Sequence, residues 1–210
     1  MINIFKKTKE QDSAASPEIC IFMGRSGCGK GTQVELYIKK LEEINGLKTL
    51  HIETGSLLRA LVKTSTFTAE KTKEIIETGN LMPESIVIGL WINYLMNNFT
   101  NNENLVFDGA PRRLTEATLL DDTLKFYKIS KYRVVYINVS KEWATARLLA
   151  RGRKDDTPDG IEKRMSWFDN DVMPSIEFLK NNKNCEFIDV NGEQTIEQVS
   201  AELLEKVFKK

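Results

Sequence analysis

Five short segments rich in apolar residues, 19–23, 48–52, 104–107, 132–139 and 185–190, punctuate the chain. Their length and flanking turn residues predict strands, and the stretches between them carry apolar residues at helical spacing. Val34, Leu36, Ile38, Leu41 and Ile44 predict a helix over 33–45 that buries those five side chains and stops at Asn45-Gly46. A short helix is expected over 69–78. A longer one over 83–97 would turn Ile86, Leu90, Tyr94 and Met96 inward, with Trp91 in the core. Thr157-Pro158 reads as N-cap and first position of a helix carrying Arg164, residues 176–179 continue a packing helix, and 195–208 form the last. Strands separated by helices predict a five-stranded parallel sheet with helices on both faces, an α/β fold whose ligands gather at the strands' carboxyl ends.

Composition narrows the picture. At 210 residues the chain reads as one compact domain over 18–210, preceded by a polar tail over 1–17 that is expected to be mobile. Thirty basic residues cancel thirty acidic ones. No overall field then favours nucleic acid or an anionic membrane, so any basic cluster must be local. No apolar run approaches the roughly 18 residues of a membrane span, and a cytoplasmic monomer with neither nucleic-acid nor membrane partners is expected. Cys20 and Cys185 read as core residues, Cys28 as a space-filling residue in a loop, and His51 as structural. The cysteine spacing does not suit zinc.

The first strand runs into Gly24-Arg25-Ser26-Gly27-Cys28-Gly29-Lys30-Gly31-Thr32-Gln33. Strand, glycine-rich turn and helix form the P-loop pattern, in which backbone N–H groups and a helix N-terminus converge on phosphate. Gly27, Cys28, Gly29, Lys30, Gly31 and Thr32 are the expected ATP-binding residues, with the Lys30 ammonium on the β and γ phosphates. A hydroxyl usually follows the lysine; here Gly31 does, and Thr32 supplies the oxygen one place later. Polar residues also follow other strands, at Glu53-Thr54-Gly55-Ser56, Asp108-Gly109-Ala110-Pro111-Arg112 and Asn191-Gly192. Asp108 stands where P-loop enzymes place a carboxylate that holds Mg²⁺, directly or through water.

Lys30-Gly31-Thr32-Gln33, Thr54-Gly55-Ser56-Leu57-Leu58-Arg59, Gly79-Asn80-Leu81-Met82-Pro83 and Asp108 to Arg112 occur in that order. Together they resemble the adenylate kinase family of nucleoside monophosphate (NMP) kinases, over about 19–207. The resemblance implies a P-loop kinase fold with two small insertions, an NMP-binding segment at about 53–83 and a very short lid at about 151–157. Mg²⁺ would sit near Thr32 and Asp108, ATP would be the phosphoryl donor, and no zinc would be needed. Thr54, Arg59, Asn80, Leu81, Met82, Gly109, Ala110, Pro111 and Arg112 would bind the acceptor. Two departures stand out: Ser56 replaces an acidic residue of the outer metal shell, and Ala110 replaces an aromatic. Gln194 occupies the position whose backbone meets the ATP adenine.

A third departure bears on the acceptor base. Adenylate-specific members of the family read adenine with a glutamine four residues after the motif arginine, and this chain has Glu116 there. An amide matches adenine's N1 acceptor and N6 donor, whereas a carboxylate only accepts and so matches the two donors of guanine. AMP and GMP both remain open as acceptors, with AMP favoured by the rest of the motif; a partly exposed Glu116 would be free to turn into solvent.

Arg147, Arg151, Arg153 and Arg164 crowd one segment, with Asp155-Asp156 among them. Arg147 and Arg151, four apart, share a helical face, an arrangement that calls for an anion. By resemblance Arg147 and Arg151 reach ATP, while Arg153 and Arg164 close over the transferring phosphoryl and the acceptor. Lys30, Asp108, Arg112, Arg151, Arg153 and Arg164 are the expected catalytic set. The function implied is transfer of the ATP γ-phosphoryl to AMP, giving two ADP. Alternatives are a kinase preferring GMP or another NMP and, in a different class, a nucleotide-binding regulator without catalysis.

Overall fold

The computed structural model describes residues 16–153 and 155–209, so residues 1–15 of the expected tail lie outside the described residues. The strands are β1 (Ile19–Met23), β2 (Thr49–Glu53), β3 (Asn104–Asp108), β4 (Tyr132–Asn138) and β5 (Cys185–Asn191). They form one parallel sheet in the order β2-β3-β1-β4-β5. Parallel pairing requires crossovers, here supplied by α1 (Lys30–Asn45), α2 (Thr54–Val62), α3 (Phe67–Glu77), α4 (Glu84–Asn98), α5 (Leu114–Phe126), α6 (Lys141–Arg151), α7 (Pro158–Trp167) and α8 (Met173–Lys180). A π-helical turn, Phe168–Val172, joins α7 to α8, and α9 (Ile196–Phe208) closes the chain.

Alternation along each strand divides the core between two faces. Ile21, Phe107 and Val134 point into a cluster with Trp91, Leu120 and Ile176 from α4, α5 and α8. Phe22, Val106 and Val135 point the other way, into Tyr37, Leu148, Met165 and Leu203 from α1, α6, α7 and α9. Because all five strands run the same way, their carboxyl ends form one rim. The register there sets Glu53 beside Asp108, and Phe22 beside both Asp108 and Val135.

Two helices bury stripes other than those expected. On α1 the inward residues are Gln33, Val34, Tyr37 and Leu41, while Leu36 and Ile44 are exposed. Tyr37 governs the rotation, because its ring packs edge-on against Phe22 at 5.2 Å and stacks with Phe208 at 5.9 Å. On α4 the buried line is Val87, Trp91 and Leu95, with Met96 exposed. Trp91 meets Phe107 edge-on at 5.9 Å, and burying that indole aligns the residues four before and after it. His51 lies within β2, and Cys185 is only partly buried.

Candidate active site

The phosphate loop begins where β1 leaves the sheet. The helix starts at Lys30, three residues before the expected Gln33, with Gly29 in the left-handed region at φ 88° as its N-cap. The helix has no side-chain cap and no acidic residue in its first turn, so its leading N–H groups and positive dipole end are available to an anion. Gly27 is required by packing: a Cβ there would stand 2.6 Å from the carbonyl oxygen of Ala144 on α6. Lys30 Nζ donates to Gly24 O at 3.2 Å and lies 3.8 Å from Cys28 Sγ. Cys28 is buried as a packing residue, while Gly31 and Thr32 are exposed at the first turn.

Arg25, which the motif does not single out, pins the loop from behind. Its Nε donates to Val139 O at 3.3 Å, Nη2 pairs with Asp169 at 2.7 Å, and the guanidinium lies 4.3 Å from the Phe168 ring centroid. Nothing local in the sequence signals a contact 144 residues away.

At the ends of β2 and β3 a second group gathers around Gly109. Thr54 opens α2 wholly buried, and its hydroxyl has no hydrogen-bond partner among the described residues. The Arg112 guanidinium lies on the same side of Gly109 as Thr54, with Nε donating to Gly109 O at 2.8 Å and the Trp167 ring centroid 5.4 Å away. Ala110 and Pro111 are buried beside it, and Asp108 makes no ion pair among the described residues. Burial lowers the Arg112 pKa from its usual value, Glu116 and Asp108 oppose that, and the like charge of Arg164 adds to it. Asp108, Arg112, Glu116 and Arg164 therefore share one field.

Arg59 does not join this group. Its Nη2 is held by Glu53 Oε1 at 2.7 Å and Ser56 Oγ at 2.8 Å, and Ser56 Oγ also donates to Glu53. Burial acts to raise the Glu53 carboxyl, but the bonds from Ser56 and Arg59 outweigh it and hold the group below the usual carboxylate range.

Met82 is buried, Leu81 partly so, and Asn80 exposed. Their turn is stapled to α7: Trp167 Nε1 donates to Gly79 O at 3.3 Å and Lys163 Nζ to Thr78 O at 3.2 Å. Arg113, unremarked in sequence beside the motif arginine, holds Met82 O at 3.0 Å and Asp171 at 3.2 Å. Glu116 is not the partly exposed group that would be free to turn into solvent. It is 1% exposed in the first turn of α5, and its Oε2 accepts the Arg112 backbone N–H at 3.0 Å.

Asp156 organises the arginine segment. Its Oδ1 accepts from Arg151 and Arg164 at 2.8 and 2.7 Å, and its Oδ2 from Arg151 Nε and the Arg153 N–H at 2.8 and 3.1 Å. Asp155 Oδ2 takes a further Arg164 bond at 2.7 Å. Burial works to raise the Asp156 carboxyl, but the bonds from Arg151, Arg164 and Arg153 dominate and hold it at about 2. An internal carboxylate thus satisfies the anion requirement read from the Arg147/Arg151 spacing. Arg147 instead lies over Trp143, 5.9 Å from its centroid. The Arg153 guanidinium is exposed and makes no hydrogen bond among the described residues. The Gln194 side chain is tied to Asn191 O and Glu202 at 2.9 and 2.6 Å.

Asp108 ends β3 and Thr32 lies in the first turn of α1, and a carboxylate and a hydroxyl are oxygen donors of the kind that could hold a hard divalent cation largely through water and substrate oxygens. No cluster of three or more metal-ligating side chains occurs among the described residues. Among the described residues the buried Thr54 hydroxyl near Arg112 has no partner, which leaves it free to bond a ligand oxygen or a water.

The family model described as adenylate kinase matches residues 22–184. Adenylate kinase 1 of Nostoc sp. is 32% identical over 183 residues, covering 87% of this chain and 95% of that protein. The adenylate kinase of Oenococcus oeni is 30% identical over 178 residues, covering 84% and 91%. That of Leptospira biflexa is 32% identical over 191 residues, covering 89% and 98%.

Proposed function

Since the chain belongs to the adenylate kinase family, and is therefore a phosphotransferase of the nucleoside monophosphate kinase type that works with ATP and Mg²⁺, we propose that its acceptor is AMP and that the reaction yields two ADP. The observation that carries this reading is the uncapped helix entry at Lys30 on the same strand-end rim as Arg112 and the unpartnered Thr54 hydroxyl.

Lys30 leaves Gly24 O for the β and γ phosphates, and the α1 amides and Gly27 to Thr32 cradle the chain of phosphates. Arg112 and Thr54 grip the acceptor phosphate, since a planar guanidinium offers the two parallel bonds that a phosphate accepts. Leu81, Met82 and Ala110 line the acceptor nucleoside. Arg59 exchanges Glu53 for the acceptor when it binds. An acceptor oxygen forms its bond to the γ-phosphorus as the bond to the β,γ-bridging oxygen breaks, with Arg151, Arg153 and Arg164 drawn over the moving group. Such transfer depends on positioning and charge stabilisation, with no covalent enzyme intermediate. Bound Mg²⁺ supplies neutralisation of phosphate charge, near Asp108 and Thr32. The same reading makes the protein a cytoplasmic monomer. Its charge is balanced, and no described helix is long and apolar enough to cross a membrane.

A GMP preference is the second reading, favoured by the buried carboxylate of Glu116. Incubating purified protein with Mg·ATP and each of AMP, GMP, CMP and UMP, then separating the product nucleotides, tests both. The expected outcome is the highest kcat/KM with AMP; transfer to none of the four would overturn the reading.

A further inference from the structure

The π-helical turn Phe168–Val172 is bonded to the phosphate loop on one side and to the acceptor loop on the other. The Met173 N–H closes an i→i+5 bond onto Phe168 O, a widened ring of the kind that often marks a functional position in a helix. Phe168 and Val172 are buried and fix the turn to the core. Asp169 and Asp171, two apart on a helical backbone, do not face each other and so leave the turn on different sides. Asp169 Oδ1 pairs with Nη2 of Arg25, the second residue of the phosphate loop, at 2.7 Å, and the same guanidinium lies 4.3 Å from the Phe168 ring centroid. Asp171 Oδ1 accepts from Arg113 Nε at 3.2 Å. Arg113 follows Arg112, which grips the acceptor phosphate in the reading above. Its Nη1 holds Met82 O at 3.0 Å, and Glu84 stands 3.7 Å from its Nε as a second partner. One turn thus joins the donor loop to the acceptor loop through two separate ion pairs.

We propose that this turn is a strut that sets the distance between the donor and acceptor phosphates, with Asp169 and Asp171 as positioning residues acting through Arg25 and Arg113. The inference rests on the NMP kinase reading above, which supplies the two nucleotides. Asp169 is 49% and Asp171 34% exposed, and pairs this exposed add little to stability. Phosphoryl transfer is far more sensitive to spacing, since a misplacement of about 1 Å can cost about 100-fold in rate.

The test uses full-length protein in Mg²⁺ buffer and calorimetric Kd values for ATP, AMP and diadenosine pentaphosphate, which carries both adenosines in one molecule. The product of the two mononucleotide constants, divided by the constant of the linked ligand, is an effective concentration set by how well the two sites are spaced. Any direct effect of a freed arginine on one nucleotide cancels in it. Asp169→Ala and Asp171→Ala should each lower that quantity by between about twofold and about fivefold, the ceiling for ion pairs of this exposure, with the thermal melt unchanged. Because the two residues hold opposite ends of one strut, releasing both should cost no more than releasing either alone. A change of less than about twofold in either single variant, losses that multiply in the double variant, or a wild type that gains nothing from the linkage overturns the inference whether or not phosphoryl is transferred. The non-additive loss in a protein that transfers phosphoryl to no acceptor would support it and instead sink the kinase reading.

Discussion

Replacing Asp156 with Asn should cost stability in a pH-dependent way that reports on the arginine segment. The wild-type side chain is fully buried and bonds both Arg151 and Arg164, the latter only 8% exposed. A carboxyl that ordinarily titrates at 3.8 and is held at about 2 has its ionised form favoured by the fold by on the order of 2 kcal/mol. The amide removes that charge and turns an NH₂ towards guanidinium donors, so the loss should reach about 3 kcal/mol at neutral pH, the range for breaking a buried pair. For a chain of this size that corresponds to a fall in Tm of about 6–12 °C. The sign follows from the depressed folded-state value: the stabilisation is present above the unfolded pKa and is lost as pH falls through about 2. Urea unfolding followed by tryptophan fluorescence at neutral pH and again at about pH 3 should show the gap between wild type and variant narrowing with acid. A neutral-pH gap below about 0.5 kcal/mol, or one that does not narrow, would refute the account of Asp156 as the anion that organises these arginines.

Lys30→Met should lower phosphoryl transfer by about 10²–10³-fold while the circular dichroism stays unchanged, because among the described residues its amine bonds only the loop itself; a loss under about tenfold counts against its placement on the phosphates. Glu53→Gln should lower the acceptor KM by no more than about fivefold, since an exposed ion pair is worth up to about 1 kcal/mol. Steady-state kinetics showing a raised KM would contradict the exchange of Arg59 between Glu53 and acceptor. Thr195→Ala removes a complete capping box on α9 and should cost about 1 kcal/mol in urea unfolding; an unchanged midpoint would mean that this helix end is held by other contacts.

Strand order, most of the helices and the turn of the phosphate loop were legible in the chain, because each is written in neighbouring residues. Glycines that permit a left-handed turn, a lysine one helical turn on, and a carboxylate closing a buried strand need no distant partner to be recognised. Hydrophobic spacing also marked α1 and α4 as helices. Their inward faces, however, were settled by rings from elsewhere in the chain: Phe22 and Phe208 against Tyr37, and Phe107 against Trp91. Arg25, Arg113 and Trp167 escaped notice for a related reason, since each acts through a contact made by a long side chain across the fold. The burial of Glu116 and the capture of Arg151 and Arg164 by Asp156 belong to the same class. What a charge does depends on how much water reaches it and which countercharge folds against it, and both are properties of packed surfaces. Local sequence specifies backbone conformation and chemical type; only tertiary structure supplies the desolvation and the partners that set what those groups can do.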